Sequence, residues 1–196
     1  MRKLILAALV AGTAVTPAFA QSATDTGRFT GPRVEAIVGY DTTKDDGEGR
    51  DGAVYGIGAG YDVQVGSLVV GVGAEASKST IDQCVNGAVA AGDELCIEAG
   101  RELTVGGRAG FLLGSNALVY GHAGYTNARV DVDYTPVTGG ANPFAGQDST
   151  LDGVRVGGGL EVGLGTNAFA KAEYRYSNYE QGFDRHQIVG GIGLRF

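Results

Sequence analysis

The residues best suited to chemistry are charged side chains that recur at every second position of short apolar segments. In one such stretch, Lys171, Glu173 and Arg175 alternate with Ala172 and Tyr174. Successive side chains of a β-strand point to opposite faces, so these three charges share one face. The same pattern along the chain selects Arg33, Glu35, Glu75, Arg108, Arg155, Glu161, Lys171, Glu173, Arg175 and Arg195. Such a set can pair into a buried ionic network or line a narrow, gated conduit.

A catalytic site is the second chemical possibility, because histidine can act with serine as an acyl-transfer pair. The chain has two histidines. His122 is followed by Ala123 and Gly124, so a His-x-Ser pair is missing there. Ser177 and Asp184 lie near His186 in sequence, but a predicted loop separates the serine from the other two and nothing fixes a triad. We therefore predict no enzymatic activity, no cofactor and no metal site.

The elements that must position the charges are eight segments of period-two alternation separated by turn-forming residues. They cover about residues 31–41, 53–62, 68–77, 102–111, 118–130, 153–164, 168–178 and 185–196. One face of each segment is apolar, and the other carries glycine with isolated Arg or Glu. A soluble β-sandwich would instead place its apolar face inside and its charges outside. The pattern predicts an all-β fold, a transmembrane antiparallel up-and-down β-barrel of eight strands.

The size of the barrel favours one of the two possible roles of the charges, the buried ionic network, over a conduit. Eight strands enclose a lumen that side chains can just fill, so we expect a packed ionic core with Glu75 as the partner of Arg108. The conduit remains the alternative, because breaking a pair could open a path for water. Glycine accounts for 35 of the 196 residues and is expected mostly on the lumen side, where room is short.

The N-terminal 20 residues have the features of a secretory signal peptide. Arg2 and Lys3 precede an apolar run, and the small-residue site Ala18-Phe19-Ala20 follows Pro17. A transmembrane anchor is the alternative, but the run is much shorter than the ~20 residues that a spanning helix needs. We predict a signal peptide over residues 1–20 and a barrel domain over residues 21–196, located in the outer membrane.

Cys84 and Cys96 lie in one polar segment of this exported chain. Exported proteins meet an oxidising compartment, so the sequence predicts a disulfide between them. Two unpaired thiols are the alternative.

The predicted connections alternate in length, and the long ones are acidic. Outer-membrane barrels have short periplasmic turns and long external loops, so residues 42–52, 78–101 and 131–152 should lie outside the cell with a fourth, shorter loop. The segment 41–51 is rich in acids, and Asp131, Asp133, Asp148 and Asp152 flank the third loop. We expect a solvated acidic surface, with weak divalent-cation bridging to lipopolysaccharide as the alternative. The net charge of −7 makes nucleic acid a poor partner.

Aromatic residues of the predicted outward face are candidates for the two interfacial girdles of a membrane barrel. They are Tyr40, Tyr55, Tyr61, Tyr120, Tyr174, Tyr176 and Phe196.

The last 26 residues of the chain carry a family resemblance. The stretch Lys171 to Tyr179, the segment Asp184 to Gln187 and the end Gly191 to Phe196 resemble the opacity-type small outer-membrane barrels of proteobacteria, also described as porin-family or OmpA-like β-barrel proteins. The resemblance implies a barrel-only member with a structural, envelope-integrity or adhesin-like role; a low-conductance porin-like channel for small solutes is the alternative. It also implies outer-membrane lipid and lipopolysaccharide as surroundings, and a host or surface ligand for the loops.

The same resemblance implies insertion by the barrel-assembly machinery, which reads a signal in the last strand. Gly191, Leu194 and Phe196 match its glycine, apolar and aromatic positions, whereas Val189 stands where the signal prefers a polar residue.

Overall fold

A computed structural model describes residues 27–45, 48–86, 94–135, 149–180 and 184–196, which form nine β-strands. The strands are β1 (Gly31–Asp45), β2 (Glu48–Val65), β3 (Leu68–Ser79), β4 (Asp82–Asn86), β5 (Glu94–Leu113), β6 (Ala117–Thr135), β7 (Ser149–Leu164), β8 (Ala168–Tyr179) and β9 (Asp184–Arg195). The predicted signal peptide lies outside the described residues. No helix in the described part of the chain is long and apolar enough to cross a membrane.

Eight of the strands close into an antiparallel barrel. The neighbours run in the order β3-β2-β1-β9-β8-β7-β6-β5, and pairing of β3 with β5 joins the two ends of the sheet. Closure leaves no sheet edge in the barrel wall, which is the condition for crossing a bilayer with strands. The short β4 pairs with the first residues of β5 and extends the wall at one end. The predicted eight-stranded barrel is confirmed, and β5 and β6 extend well beyond their predicted ends.

The predicted division into an apolar and a polar face follows the wall of the barrel. On β1, the side chains of Val34 and Val38 are exposed on the outside, whereas Arg33 and Ile37 are buried inside. The strand with the least regular sequence, β6, follows the same rule and turns Leu118, Tyr120 and His122 inward. Tyr120 was therefore misassigned to a lipid-facing girdle. It is only 5% exposed, because its hydroxyl donates a hydrogen bond to Glu173 inside the lumen.

Three tight turns join strands at the end of the barrel that also holds Phe196. Each contains a glycine in the left-handed region, at Gly66 (φ 62°), Gly114 (φ 70°) and Gly165 (φ 69°). Residues with a Cβ adopt this conformation rarely, so glycine makes the short connections possible. Short turns mark the periplasmic end of an outer-membrane barrel, and the opposite end is external.

Candidate functional site in the barrel lumen

The lumen is filled by charges of both signs in equal number among the described residues. Seven carboxylates and seven cations lie inside: Asp41, Asp62, Glu35, Glu75, Glu102, Glu161 and Glu173, with Arg33, Arg108, Arg155, Lys171, Arg175, Arg185 and Arg195. The structure places all ten of the sequence-selected charges in this set. Because each charge has a partner of opposite sign within ion-pair distance, the lumen is electrically balanced along its length.

Asp62 is the centre of the cluster nearest the periplasmic end. Its side chain is fully buried and accepts hydrogen bonds from Arg33 Nε at 3.0 Å, Arg108 Nη2 at 2.6 Å and Arg195 Nη2 at 2.8 Å. Glu161 binds the remaining terminal nitrogens, with 2.9 Å to Nη1 of both Arg108 and Arg195. Residues of five strands therefore meet in one ionic cluster.

Glu75 was expected to pair with Arg108, and this prediction is wrong. Arg108 is fully engaged with Asp62 and Glu161. Glu75 instead accepts two hydrogen bonds from Arg175, at 2.6 and 2.7 Å, and a longer one from Arg155 at 3.3 Å. The expectation assumed that partners sit on neighbouring strands, whereas a narrow lumen lets long side chains pair across its diameter.

Glu173 is the acceptor at the middle of the lumen. It binds Arg175, lies 3.4 Å from Lys171 Nζ and accepts the Tyr120 hydroxyl at 2.6 Å. His122 Nε2 is 3.2 Å from its second oxygen. Lys171 also binds Glu35 at 2.8 Å.

Glu102 is the corresponding acceptor toward the external end. It binds Arg155 and the Tyr179 hydroxyl, and accepts Arg185 Nη1 and the Thr126 hydroxyl at 2.9 Å each. The second guanidinium edge of Arg185 holds Asp41, which is fully buried. Asp41 is therefore a lumen residue, and its assignment to the acidic external loop was wrong.

Sequence reasoning missed Asp41, Asp62, Glu102 and Arg185, which all lie at the ends of the predicted strands. The alternation of inward and outward side chains along each strand could have identified them. Asp62 continues the inward series of Gly58 and Gly60, and extending each strand by its own alternation identifies the others.

Glycines on the inward face make room for the arginines. A Cβ on Gly60 would lie 2.7 Å from Arg33 Nη2, and one on Gly71 would lie 1.9 Å from the Asp62 carboxylate. Larger residues at these positions would displace the ionic cluster around Asp62. The bare face of β2 and β3 is thus the space that the guanidinium of Arg33 occupies.

An apolar plug closes the lumen at its periplasmic end. Phe29, in the segment before β1, packs with Val69 and Leu118. The guanidinium of Arg195 stacks on the rings of Phe29 and Phe169, at 5.2 Å from each centroid. The plug joins the Asp62 cluster directly, because Arg195 belongs to both.

A small cavity remains between the clusters, beside β3, β5 and β6. Its volume is about 80 Å³, and Gly73, Gly106 and Gly124 line it. Glu35 and His122 also line it, and Glu35 Oε2 has no hydrogen-bond partner among the described residues. A polar cavity of this size has room for a few water molecules.

Neither histidine is hydrogen-bonded to a serine in the part of the chain that the structure describes. Ser177 faces inward and accepts a hydrogen bond from Arg155 Nε at 3.1 Å. His186 lies on the outer face beside Tyr174, at 2.7 Å from its hydroxyl, and Asp184 is held by Tyr176 and Asn178. The described residues contain no group of three or more candidate metal ligands.

The remaining sequence-selected residues lie in the wall or beyond it. Cys84 and Cys96 stand directly opposite each other in the pairing of β4 with β5. Leu194 and Phe196 are exposed on the lipid-facing side of the last strand, whereas Gly191 faces the lumen. Of the girdle candidates, Tyr40, Tyr55, Tyr61, Tyr174 and Phe196 are exposed and Tyr176 is half-buried. The side chains of Asp131, Asp133 and Asp148 lie outside the described residues.

Comparisons with known proteins agree with this architecture. Residues 7–196 match the family described as outer membrane protein beta-barrel domain. A 22 kDa outer membrane protein of Rhizobium leguminosarum bv. viciae is 28% identical over 164 residues, which is 76% of this chain and 70% of that protein.

Solved structures show the same fold at low sequence identity. Neisserial surface protein A is 19% identical with a TM-score of 0.58, and the match covers 85% of this chain and 98% of that one. Ail, the attachment invasion locus protein of Yersinia pestis, crystallised with the heparin analogue sucrose octasulfate, is 15% identical with a TM-score of 0.56, covering 85% and 99%.

Proposed function

The chain belongs to the outer membrane protein beta-barrel domain family, and on this premise we propose that it is a non-conducting structural barrel that presents external loops for surface interactions. It resides in the outer membrane, as its family and its relatives do. The observation that carries the proposal is the closed lumen. Its apolar plug and ionic clusters occupy the lumen from Phe29 to Asp41, and this packing supports a structural role over a porin role.

The adhesin-like part of the proposal is supported by the external end of the barrel. Strands β5 and β6 remain paired to Glu94 and Thr135, beyond a bulge between Ala99 and Glu102, and β4 adds a third strand to this extension. A sheet of this kind can hold a binding surface above the membrane. The name of Ail describes attachment and invasion for that protein, and we propose a host or surface ligand for this chain on the basis of the shared architecture.

We expect no enzymatic role. The lumen charges that could serve as acids or bases form ion pairs with one another. Ser177 and His186, the serine and histidine nearest in sequence, lie on opposite faces of the wall.

The disulfide and the processing steps belong to the same proposal. Direct opposition of Cys84 and Cys96 supports a disulfide that would clamp β4 to β5.

The signal peptide over residues 1–20 and recognition of Gly191, Leu194 and Phe196 by the barrel-assembly machinery remain predictions. Deleting Phe196 should lower the folded yield in the outer membrane while export continues, and an undiminished yield would exclude it as part of the signal.

Ion conductance in planar bilayers tests whether the barrel is closed. Refolded protein in planar bilayers should give no steady channels, while the same preparation shifts on a heat-modifiability gel and so is folded. Stable single-channel steps from heat-modifiable protein would support the alternative, a low-conductance channel. The internal cavity would then be part of its path.

A further inference from the structure

The chain enters the barrel wall through a sharp turn at Gly31. Its φ of 126° lies in a region that residues with a Cβ rarely adopt, and a Cβ there would overlap the Phe196 carbonyl oxygen. Pro32 follows directly, and its ring fixes its own φ where β1 begins to pair with β2. Gly31 is therefore the one permissive joint between the wall and residues 27–30, which we call the plug segment.

The plug segment carries the apolar seal of the lumen without being part of the sheet. Strand pairing of β1 begins only at Gly31. Within the segment, Thr30 N donates to the Gly27 carbonyl at 2.8 Å and closes a tight turn. The turn holds Phe29 inside the lumen, where it is 1% exposed. The four residues thus form a compact unit that is attached to β1 at one end.

Side-chain hydrogen bonds hold this unit against the wall. Phe29 N donates to Gln64 Oε1 at 3.1 Å, and Gln64 N donates to Thr30 Oγ1 at 3.0 Å. Arg28 donates to the carbonyl of Gly165 in a periplasmic turn. These three bonds are exposed or only partly buried, and none of them pairs the backbones of two strands. Segments held in this way can open locally while the rest of a protein stays folded.

The seal toward the external end is built differently. Asp41, Glu102, Tyr179 and Arg185 all belong to strands of the wall. Their side chains are hydrogen-bonded to one another across the lumen. Moving this seal would require the strands themselves to move, whereas the plug segment can move about a single residue.

We propose that the plug segment is a lid that swings about Gly31 toward the periplasm while the barrel stays folded, and that it controls the entry of water to the Asp62 cluster. The inference rests on the closed lumen of the proposed function. The closed position is the more populated one, because it buries Phe29 and lets Arg195 stack on the ring. Opening uncovers the Arg195 guanidinium, one of the three that surround Asp62. The lumen therefore exchanges water with the periplasm and not with the exterior.

Thiol labelling reports the position of the lid. In a background in which Cys84 and Cys96 are serine, Val69→Cys places a thiol beside Phe29. Ser177→Cys places a second reporter nearer the external end, where the native side chain is also 1% exposed. The refolded mature protein in phosphatidylcholine nanodiscs is treated with a charged, water-soluble methanethiosulfonate. If the lid closes faster than the reagent reacts, the labelling rate follows the open population.

Two glycine variants separate the lid from general strain. Gly31→Ala should favour the open lid, because a residue with a Cβ in this region of φ shifts a population by roughly tenfold. Val69→Cys should then be labelled about tenfold faster. Gly114→Ala is the matched control, since Gly114 has a φ of 70° in the turn between β5 and β6, and its Cβ would meet no atom within 4 Å. It should leave labelling of Val69→Cys unchanged, and Ser177→Cys should stay slow in both variants.

A third variant covers the case in which Gly31→Ala fails to fold, which a heat-modifiability gel detects. Gln64→Ala removes the acceptor of the Phe29 amide without altering the hinge. Loss of one hydrogen bond of the closed lid should speed the labelling of Val69→Cys about fivefold.

Three results would overturn the lid. They are equal labelling of Val69→Cys in the two glycine variants, equal acceleration of both reporters, and labelling of Val69→Cys in the parent at the rate found after unfolding in urea. Fast labelling of Ser177→Cys in the parent would instead contradict the closed lumen of the proposed function. In that case the ratio of the two glycine variants at Val69→Cys still decides whether residues 27–30 move as a lid.

Discussion

The charges inside the barrel and the charges on its external rim follow opposite rules. Inside, Asp62 alone holds three arginines, and each described ionic side chain has a partner. On the rim, exposed Asp152 accepts hydrogen bonds from the neutral side chains of Tyr125 and Asn127. A buried charge must be compensated within the fold, whereas an exposed charge is solvated and needs no partner of opposite sign. The comparison separates residues that hold the barrel together from residues that contact its surroundings.

The largest expected effect comes from the centre of the lumen. Replacing Asp62 with Asn should leave Arg33, Arg108 and Arg195 buried with insufficient compensation. Breaking a buried pair costs roughly 3–5 kcal/mol, so the urea midpoint of the refolded protein should fall clearly. The matched control is Asp152→Asn on the outer rim, which affects only exposed hydrogen bonds and should leave the midpoint nearly unchanged. Equal costs for the two variants would contradict the distinction between lumen and rim.

A second experiment asks which carboxylate is the partner of Arg108. A double-mutant cycle between Arg108→Ala and Asp62→Ala should show a coupling energy of about 0.5–3 kcal/mol, because the two side chains share hydrogen bonds. The cycle between Arg108→Ala and Glu75→Ala should be close to additive. Coupling to Glu75 that exceeds coupling to Asp62 would restore the pairing first expected from the sequence.

Replacing a lumen-facing glycine should have a smaller, purely steric effect on stability. Gly60→Ala would bring a methyl group to 2.7 Å from Arg33 Nη2 and 2.6 Å from the Val72 carbonyl, so we expect a loss of about 1–3 kcal/mol. Gly190→Ala is the control, because its methyl group would point outward with no atom closer than 3.9 Å. The unfolding midpoints of both variants in urea measure the two losses of stability. An unchanged midpoint for Gly60→Ala would mean that the lumen has room for the added methyl group.

The smallest effect on the barrel should come from the cysteines. Replacing Cys84 and Cys96 with serine would remove the proposed disulfide between β4 and β5, outside the closed wall. The unfolding midpoint should stay nearly unchanged, while limited proteolysis in the segment 87–93 becomes faster. Peptide mass spectrometry of the non-reduced parent protein should show one internal crosslink. Two free thiols in freshly purified, oxidised protein would count against the disulfide.

Much of the fold was predictable because it rests on a period of two. Val34 and Val38 on one face of β1, and Arg33 and Ile37 on the other, follow from alternation alone. The barrel follows as well, since apolar outer faces and glycine-rich inner faces leave few other architectures.

Partner choice inside the lumen was less predictable. Alternation identifies that Arg108 faces inward but not how far its side chain reaches, and its guanidinium bypasses Glu75 for Asp62 and Glu161. The prediction for Tyr120 was wrong for a related reason, because the sequence of β6 does not indicate which of its faces is polar. Rules that describe neighbours along a strand cannot give contacts across a lumen.

Closure of the lumen is the central claim, and thiol labelling tests it most directly. In a background in which Cys84 and Cys96 are serine, Ser177→Cys places a thiol inside the wall, where Ser177 is 1% exposed. The adjacent Asn178→Cys places one on the exposed outer side as the control. A water-soluble, membrane-impermeant maleimide should label Asn178→Cys quickly and Ser177→Cys far more slowly in folded protein, with equal rates after unfolding in urea. Equal rates in the folded protein would show that water fills the lumen and would contradict the closed barrel.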